Sequence, residues 1–221
     1  MLSIVIPTFN SYQHLQKLLP QISRSYLVNE IVLSDGGSND NTLEIAQKFK
    51  LIKGVANRGS QLVAGAVHAS SPWLLFLHSD SSLQPGWDYI VRDFISNPRN
   101  IYRSGYFNLI FDASCSEARR IEKIVMWRAK ILGLPYGDQG LLISRRYYDH
   151  LGGYKCLALM EDVDIVRRIG KMRLVALSSA ITTSADRYRD NGWYFRPLKN
   201  LFCLALYFIG VPTSILVKLY Q

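Results

Sequence analysis

The sequence contains few cysteines, and they follow no pairing pattern. Cys115, Cys156 and Cys203 form neither a Cys-x-x-Cys unit nor a Cys/His spacing typical of a zinc site. An odd number of scattered cysteines also argues against a disulfide framework. We therefore expect free thiols in a reducing compartment.

Long apolar runs and targeting signals are equally scarce. No basic segment precedes the apolar residues 2–6, so a buried strand is a better interpretation of this start than a signal peptide. Residues 201–217 are apolar, but Gly210 and Pro212 interrupt them, and they fall short of the ~20 residues that a spanning helix needs. We expect a cytoplasmic protein at the inner face of the cell membrane. This segment would then lie at the membrane surface, the alternative being a buried terminal helix.

Acidic residues are outnumbered, with 17 Asp and Glu against 26 Lys and Arg, which gives a formal net charge of +9. Such a balance favours anionic partners, which include phosphates, nucleic acid and an acidic membrane face. Low-complexity tracts and internal repeats are absent, and 48% of the residues are hydrophobic. A chain of 221 residues with this composition is long enough for one sizeable α/β domain.

Short apolar runs alternate with segments of helical periodicity through the first half of the chain. This alternation predicts an α/β fold, a Rossmann-like, mainly parallel sheet flanked by helices. We expect one domain over residues 1–197 and an apolar helical segment over residues 198–221. The predicted strands span residues 2–6, 30–33, 51–55, 73–77, 102–111 and 141–144, and the predicted helices residues 12–23, 59–69, 117–132 and 161–169.

Polar residues follow three of the predicted strands. Asn10, Asp35 and Asp80 each lie just beyond a strand end. Ligands of open α/β sheets bind outside the carboxyl ends of the strands, so we expect these side chains to converge on one edge.

The turn at residues 35–40 combines glycines with the start of a helix. Gly36 and Gly37 permit close backbone approach to a ligand, and a helix start favours phosphate. Asn41 and Glu44 have the spacing of a capping box. The turn is not a G-x-G-x-x-G fingerprint, which argues against a dinucleotide-dependent dehydrogenase. A polar turn without a ligand is an equally open interpretation.

Two further acidic positions are candidates for chemistry. Asp80, with His78 as a second ligand, has the setting of a Mg²⁺ or Mn²⁺ site whose other positions would be filled by diphosphate oxygens and water. The alternative is a solvated strand end. Glu161 and Asp162 begin a predicted helix, where a carboxylate stays ionised and can accept a proton, or merely caps the helix. Asp164 falls on another face of that helix, and we expect it to be solvated.

Basic side chains could bind phosphate. Arg58 precedes a glycine, and Arg187, Arg189 and Arg196 cluster near the carboxyl terminus. Arginine pairs with phosphates through two hydrogen bonds. Contact of the cluster with acidic lipid head groups is an equal alternative.

The order of these motifs resembles that of family-2 glycosyltransferases, which have the GT-A fold. The resemblance covers residues 2 to about 170, and each motif is weak alone. It extends to a small subgroup of stand-alone bacterial transferases. The general motifs are Pro7-Thr8-Phe9-Asn10, Asp35-Gly36-Gly37-Ser38-Asn39-Asp40, His78-Ser79-Asp80 and Glu161-Asp162, and the subgroup motifs include Arg58-Gly59-Ser60-Gln61, Gly137-Asp138-Gln139-Gly140 and Thr183-Ser184-Ala185-Asp186-Arg187-Tyr188.

The resemblance implies a set of roles. Asp162 would be the catalytic base, Asp35 would contact the nucleotide base, and Asp80 with His78 would hold Mn²⁺ or Mg²⁺. His78 stands where the family has the first acid of its D-x-D element. Asp186-Arg187-Tyr188 is at most a remnant of the Arg-Trp element of processive synthases. The implied substrate-binding residues are Pro7, Thr8, Asn10, Asp35, Gly36, Ser38, Asp40, Arg58, Gln61, Gln139, Glu161 and Arg187.

The implied reaction is an inverting, non-processive transfer of a sugar from a nucleotide diphosphate sugar, most often a UDP-sugar, to an acceptor hydroxyl. The partners would be this donor, a lipid or small-molecule acceptor and the membrane surface, with no nucleic acid. Two alternatives remain: a non-catalytic nucleotide-sugar or membrane-binding module, and a nucleotidyltransferase, which would normally have a basic Gly-rich loop near the amino terminus. The sequence leaves the acceptor and the oligomeric state open.

Overall fold

The fold is built from alternating strands and helices, followed by a less regular second half. The computed structural model describes residues 1–186, 192–193 and 195–220, with Arg196 described for its backbone alone. The strands are β1 (Leu2–Thr8), β2 (Val28–Asp35), β3 (Lys50–Lys53), β4 (Trp73–Phe76), β5 (Ser82–Leu83), β6 (Ser104–Phe111), β7 (Leu141–Ser144) and β8 (Leu174–Thr183). The helices are α1 (Tyr12–Ser23), α2 (Thr42–Ala46), α3 (Arg58–His68), α4 (Trp87–Ser96), α5 (Ser116–Trp127), α6 (Arg145–His150), α7 (Glu161–Ile169), α8 (Phe195–Phe208) and α9 (Thr213–Tyr220).

The strands form one sheet in the order β3-β2-β1-β4-β7-β6-β8-β5. The first four are parallel, as predicted. Beyond them the sheet is less parallel than predicted: β6 and β8 are parallel, but β7 runs antiparallel to both β4 and β6, and β5 runs antiparallel to β8. The reason is that Leu141, the first residue of β7, pairs with Phe76, the last residue of β4. The chain therefore enters β7 at the carboxyl edge of β4 and runs back, and the sheet as a whole is mixed.

Helices cover both faces of this sheet, as expected. Alternate residues of β1 point to opposite sides, so Leu2, Ile4 and Ile6 pack in one core with α1 and α4, whereas Val5 packs in the other. The second core contains residues of α3, α6, α7, α8 and α9. This arrangement leaves the carboxyl edge of the parallel strands to the loops.

The start of α2 differs from the predicted capping box. Asn41 precedes the helix, but its side chain makes no capping hydrogen bond. Asp40 takes its place: one oxygen accepts from the Thr42 N–H at 3.0 Å and the other from the Tyr12 N–H at 3.2 Å. One carboxylate thus joins the starts of α1 and α2, since Asp40 reaches donors of both helices.

The C-terminal apolar run forms two helices rather than one. α8 and α9 are separated by a turn at Gly210, whose φ of 90° suits glycine. Cys203, Leu204 and Leu216 are buried in the same core as α7, whereas other apolar side chains of the pair are exposed. No helix in the described ranges combines the length and apolarity needed to cross a membrane. The proposed division at residue 197 stays a prediction.

Candidate active site

A cleft of about 340 Å³ lies at the carboxyl ends of β1 and β4. The loop that follows β2 adjoins it, because Gly36 N donates to Thr8 O at 2.8 Å. Asn10, Asp35 and Asp80, which were predicted to converge, therefore lie at one sheet edge. The predicted site residues that line the cleft are Pro7, Thr8, Asn10, Arg58, Gln61, His78 and Asp80.

Asp35 organises the loop after β2. Its carboxylate accepts hydrogen bonds from the Thr8 hydroxyl, the Ser38 hydroxyl, and the N–H groups of Gly37 and Ser38. Burial raises the pKa of Asp35, but the bonds from Ser38, Gly37 and Thr8 outweigh it and lower the pKa. A carboxylate has about four acceptor sites, so these donors fill its capacity. The immediate task of Asp35 is to shape the turn, and its predicted contact with a nucleotide base stays a prediction.

Asn10 and Ser38 tie the loops after β1 and β2 to each other. Asn10 has a φ of 47°, a left-handed conformation that asparagine tolerates better than most residues. Its N–H donates to Ser38 Oγ at 2.8 Å, and its side-chain Oδ1 accepts from the Asn39 N–H at 2.9 Å. These contacts fix the rim of the cleft, and Asn10 itself is exposed there.

The two predicted substrate-binding glutamines hold backbone instead. Gln61 Nε2 donates to Thr8 O at 2.8 Å and to Ser34 O at 2.7 Å. Gly36 packs so closely on this amide that an added Cβ would lie 3.1 Å from Gln61 Nε2. Gln139 is fully buried, where its Nε2 donates to Phe107 O at 3.1 Å. Both amides thus support the protein's own backbone, Gln61 also lines the cleft, and their predicted contact with substrate stays a prediction.

His78 and Asp80 follow β4 at the floor of the cleft. His78 Nδ1 lies 3.9 Å from Asp80 Oδ1, and both side chains remain partly exposed. Within the described residues no three His, Cys, Asp or Glu side chains form a ready-made metal cluster. Mg²⁺ is usually held by one or two carboxylates together with substrate phosphates, and imidazole suits several transition metals. The pair therefore fits a metal whose remaining ligands come from a bound diphosphate.

The start of α7 brings two further acids into the site. Glu161 is almost completely buried, and its Oε1 lies 2.9 Å from Arg58 Nε. Burial raises the pKa of Glu161, the Arg58 guanidinium opposes that rise, and the charge of Asp162 adds to it. Asp162 is half-buried, and its Oδ2 accepts a 2.8 Å hydrogen bond from the Gly137 N–H.

Gly137 lies where three sequence motifs meet. An added Cβ would clash with the guanidinium of Arg58, would lie 2.7 Å from His78 Nε2 and would lie 3.4 Å from Asp162 Oδ2. Only a residue without a side chain leaves that space open. Gly137 therefore marks the point at which the loop after β4, the start of α3 and the start of α7 come together.

Asp138 is a site residue to which the sequence assigned no role. Its Oδ1 is buried and has no hydrogen-bond partner within the described part of the chain. Burial raises the pKa of Asp138 to about 6, with Arg128 and Arg58 opposing and Asp162 and Asp80 adding to the rise. The signal in the sequence was an acid next to a glycine, immediately before a buried strand.

A second, smaller pocket of about 80 Å³ opens beside Asp162. Asn200 of α8 and Tyr220 of α9 line it together with Tyr136 and the two acids of α7. Asn200 Oδ1 is buried there without a hydrogen-bond partner in the described ranges. The C-terminal helices thus supply part of the wall next to the predicted base, and they add an acceptor oxygen that a hydroxyl group would satisfy.

The structure corrects one expectation about acidic residues and leaves one about basic residues open. Asp164, expected to be solvated, is buried and lies 2.8 Å from Lys155 Nζ and 2.5 Å from Arg168 Nη2. It faces inward because α7 is covered on that side by the loop carrying Lys155. Arg187 and Arg189 fall outside the described residues, as does the side chain of Arg196.

Two curated relatives match part of the chain. The PGL/p-HBAD biosynthesis glycosyltransferases of Mycobacterium bovis and Mycobacterium tuberculosis are each 41% identical to it in an alignment of 99 positions, and the match covers 38% of this chain and 36% of theirs. The chain thus matches little more than a third of the length of these relatives.

Solved structures with low sequence identity share the fold. Staphylococcus aureus TarS 1-349 in complex with UDP is 15% identical with a TM-score of 0.63, and the match covers 99% of this chain and 69% of that one. Glucosyl-3-phosphoglycerate synthase from Mycobacterium tuberculosis, in complex with Mn²⁺, UDP-glucose and phosphoglyceric acid, is 17% identical with a TM-score of 0.54, covering 83% and 70%. The fold is therefore like that of GT-A glycosyltransferases. The family model for glycosyl transferase family 2 matches residues 3–141, more than half of the sequence, and the chain belongs to that family.

Proposed function

We propose that the chain transfers a sugar from a UDP-sugar, held in the cleft with a divalent metal, to an acceptor hydroxyl. The observation that carries the proposal is the meeting of Arg58, His78 and Asp162 around Gly137. The cleft is adjacent to this point, since Arg58 and His78 line it. The solved structures of TarS with UDP and of glucosyl-3-phosphoglycerate synthase with Mn²⁺ and UDP-glucose support the choice of donor and metal.

In this proposal the acceptor hydroxyl gives its proton to Asp162 while its oxygen attacks the anomeric carbon. The bond between that carbon and the diphosphate oxygen breaks, and the nucleoside diphosphate leaves from the opposite face, which inverts the configuration. A metal bound by Asp80 and His78 would supply positive charge to the leaving diphosphate. Arg58 supports the site by balancing the buried carboxylate of Glu161.

The acceptor enters, in this proposal, through the pocket lined by Asn200 and Tyr220, and it is presented at the cytoplasmic face of a membrane. Asn200 Oδ1 offers an acceptor for a hydroxyl group beside Asp162. The helices that carry these residues expose large apolar side chains next to Lys199 and Lys218. The exposed apolar residues of α8, α9 and the turn between them include Leu198, Leu201, Phe202, Ile209, Ile215 and Leu219.

Thermal unfolding with a panel of nucleoside diphosphates and their sugars, with and without Mn²⁺, tests the proposed donor and metal. We expect one nucleotide to raise the Tm in the presence of Mn²⁺, since a ligand that binds only the folded state stabilises it. Asp80→Asn should remove the dependence on Mn²⁺, whereas the exposed Asp93→Asn should not. A donor that binds but is neither transferred nor slowly hydrolysed with any metal would favour a non-catalytic binding module instead.

Substitution of exposed residues tests the proposed membrane contact of α8 and α9. Deleting residues 198–221 would also remove Cys203, Leu204 and Leu216 from the core, so loss of binding after deletion would be ambiguous. Leu201→Gln with Phe202→Gln changes only exposed side chains of α8. We expect this variant to shift from the membrane fraction towards the supernatant, and an unchanged distribution would contradict membrane contact by these helices.

A further inference from the structure

We propose that the membrane-facing surface extends beyond the C-terminal helices as a basic apolar belt that docks on an anionic lipid bilayer. The belt crosses the segment 124–132, the turn after α7 and the end of α8. This inference rests on the proposed function for its biological setting, although its physical test does not require catalysis. The belt is defined by Ile124, Trp127, Ile131, Leu132, Met172 and Ile209.

The first part of the belt is an apolar stripe on the outer side of α5 and its continuation. Ile124, Trp127 and Ile131 follow one another at helical spacing and are 60%, 56% and 51% exposed. The inner side of α5 buries other residues against β6, in a separate small core. The stripe therefore does not pack in the core. Contiguous exposed apolar surface of this kind marks an interaction site.

The second part joins this stripe to the C-terminal helices through α7. Gly133, directly after the segment 124–132, packs on Lys171, so that an added Cβ would lie 2.7 Å from Lys171 Cβ. The neighbouring Met172 is 85% exposed. Five residues before Met172, the Arg167 guanidinium lies 4.7 Å from the centre of the Phe208 ring at the end of α8. These two contacts place both the segment 124–132 and the end of α8 against residues 167–171.

The charge of the belt identifies a bilayer as its occupant. Lys123, Lys130, Lys171 and Arg173 are exposed beside the apolar residues. Of the acids nearby, Glu122 lies 2.6 Å from Arg119 Nη1 and Asp164 is buried between Lys155 and Arg168. Anionic head groups attract such cations, and aromatic residues such as Trp127 favour the membrane interface. A second copy of the chain would instead oppose cations to cations.

Docking through the belt would bring the acceptor pocket to the lipid. α8 carries Asn200 of the pocket and is followed directly by Ile209 of the belt, and α9 carries Tyr220 of the pocket. A lipid-linked acceptor would then reach Asp162 without leaving the bilayer surface. The position of the belt therefore indicates the class of acceptor, which is an amphiphile that carries a hydroxyl group.

Cosedimentation of the full chain with vesicles tests the proposal. The vesicles are phosphatidylcholine alone, or phosphatidylcholine with about one-third phosphatidylglycerol. We expect binding to the anionic vesicles only, weakened by salt, and weakened at least about tenfold by Trp127→Gln with Ile131→Gln. The matched control is Val67→Gln with Tyr89→Gln, which replaces two residues outside the belt that are at least as exposed as Ile131 and should bind like the wild type.

The outcomes separate the belt from the proposed function. If the Trp127→Gln, Ile131→Gln variant bound anionic vesicles with wild-type affinity, the belt proposal would be wrong. If only Leu201→Gln with Phe202→Gln weakened binding, membrane contact would be limited to the C-terminal helices. If the chain formed a concentration-dependent dimer and the belt variant were monomeric, the belt would bind a second copy of the chain, and the bilayer proposal would be wrong. Donor binding is measured separately without lipid, so its failure would count against the proposed function and leave the belt intact.

Discussion

The N–H of Gly137 donates a 2.8 Å hydrogen bond to Oδ2 of Asp162, the carboxylate that we propose as the base. The other oxygen of Asp162 accepts from the N–H of Val163 at 2.8 Å. Two backbone donors from different parts of the chain thus orient one side chain. This arrangement is typical of a positioned proton acceptor, whose efficiency depends on geometry before anything else.

The close packing around Gly137 predicts that this position tolerates no side chain. In Gly137→Ala the new Cβ would clash with Arg58 and lie 2.7 Å from His78 Nε2, so we expect turnover to fall by about 10²-fold as the three motifs are displaced. Steady-state kinetics measure the effect. Gly54→Ala is the control, because its Cβ would meet only Asp35 O, at 3.9 Å. Equal activity of both variants would contradict the packing argument.

The raised pKa of Asp138 predicts a pH-dependent stability. Its pKa is about 6 in the folded protein against an ordinary 3.8, so the folded state binds this proton more tightly. The stabilisation is present below about pH 4 and is lost as the pH rises through about 6. Relative to Asp138→Asn, the wild type should therefore lose about 1–3 kcal/mol of unfolding free energy between these pH values. Urea unfolding at several pH values measures the difference.

Glu30 provides the control of opposite sign. Burial raises its pKa, but hydrogen bonds from Ser3 and Ser70 and the charge of Lys50 lower it to about 2. Its stabilisation is therefore present above an ordinary pKa of 4.5 and is lost as the pH falls towards 2. Glu30→Gln should therefore have a lower free energy of unfolding than the wild type at neutral pH, and this difference should disappear at acidic pH. A pH-independent difference for Asp138→Asn, with Glu30→Gln behaving as described, would refute the raised pKa.

Much of the secondary structure could be predicted from the sequence, because at many elements local signals and tertiary packing agree. α1, β7 and α7 begin and end where their apolar periodicity and flanking residues indicated. The convergence of polar residues at one sheet edge followed from parallel pairing of the first strands. Cys115 and Cys156 are free thiols, as expected from their scattered positions.

The features that the sequence missed depend on contacts between distant segments. The antiparallel direction of β7 depends on where the chain returns to the sheet, which no local pattern records. Asp164 has the helical position of a solvated acid, but Lys155 and Arg168 cover it. The sequence also did not show that the side-chain amides of Gln61 and Gln139 donate to backbone carbonyls of β1, β2 and β6. Sequence patterns located these residues without revealing which partner each would meet.

The pocket beside α7 predicts a role for Asn200 in acceptor binding. Asn200→Ala removes an oxygen that has no hydrogen-bond partner within the described ranges. We expect the KM for the acceptor to rise about 2- to 10-fold, the value of one neutral hydrogen bond, without a change in donor affinity. Kinetics at varied acceptor concentration measure it, with Lys199→Ala as the neighbouring control. An effect on the donor alone would place the acceptor elsewhere.

Turnover of Asp162→Asn tests the central claim most directly. Asparagine keeps an oxygen that can accept from the Gly137 N–H but cannot take up a proton, so the site should keep its shape. We predict that a nucleoside diphosphate sugar with Mn²⁺ raises the Tm of the variant as much as that of the wild type, while sugar transfer falls by about 10²- to 10⁴-fold. Unchanged transfer with intact donor binding would contradict the assignment of Asp162 as the base.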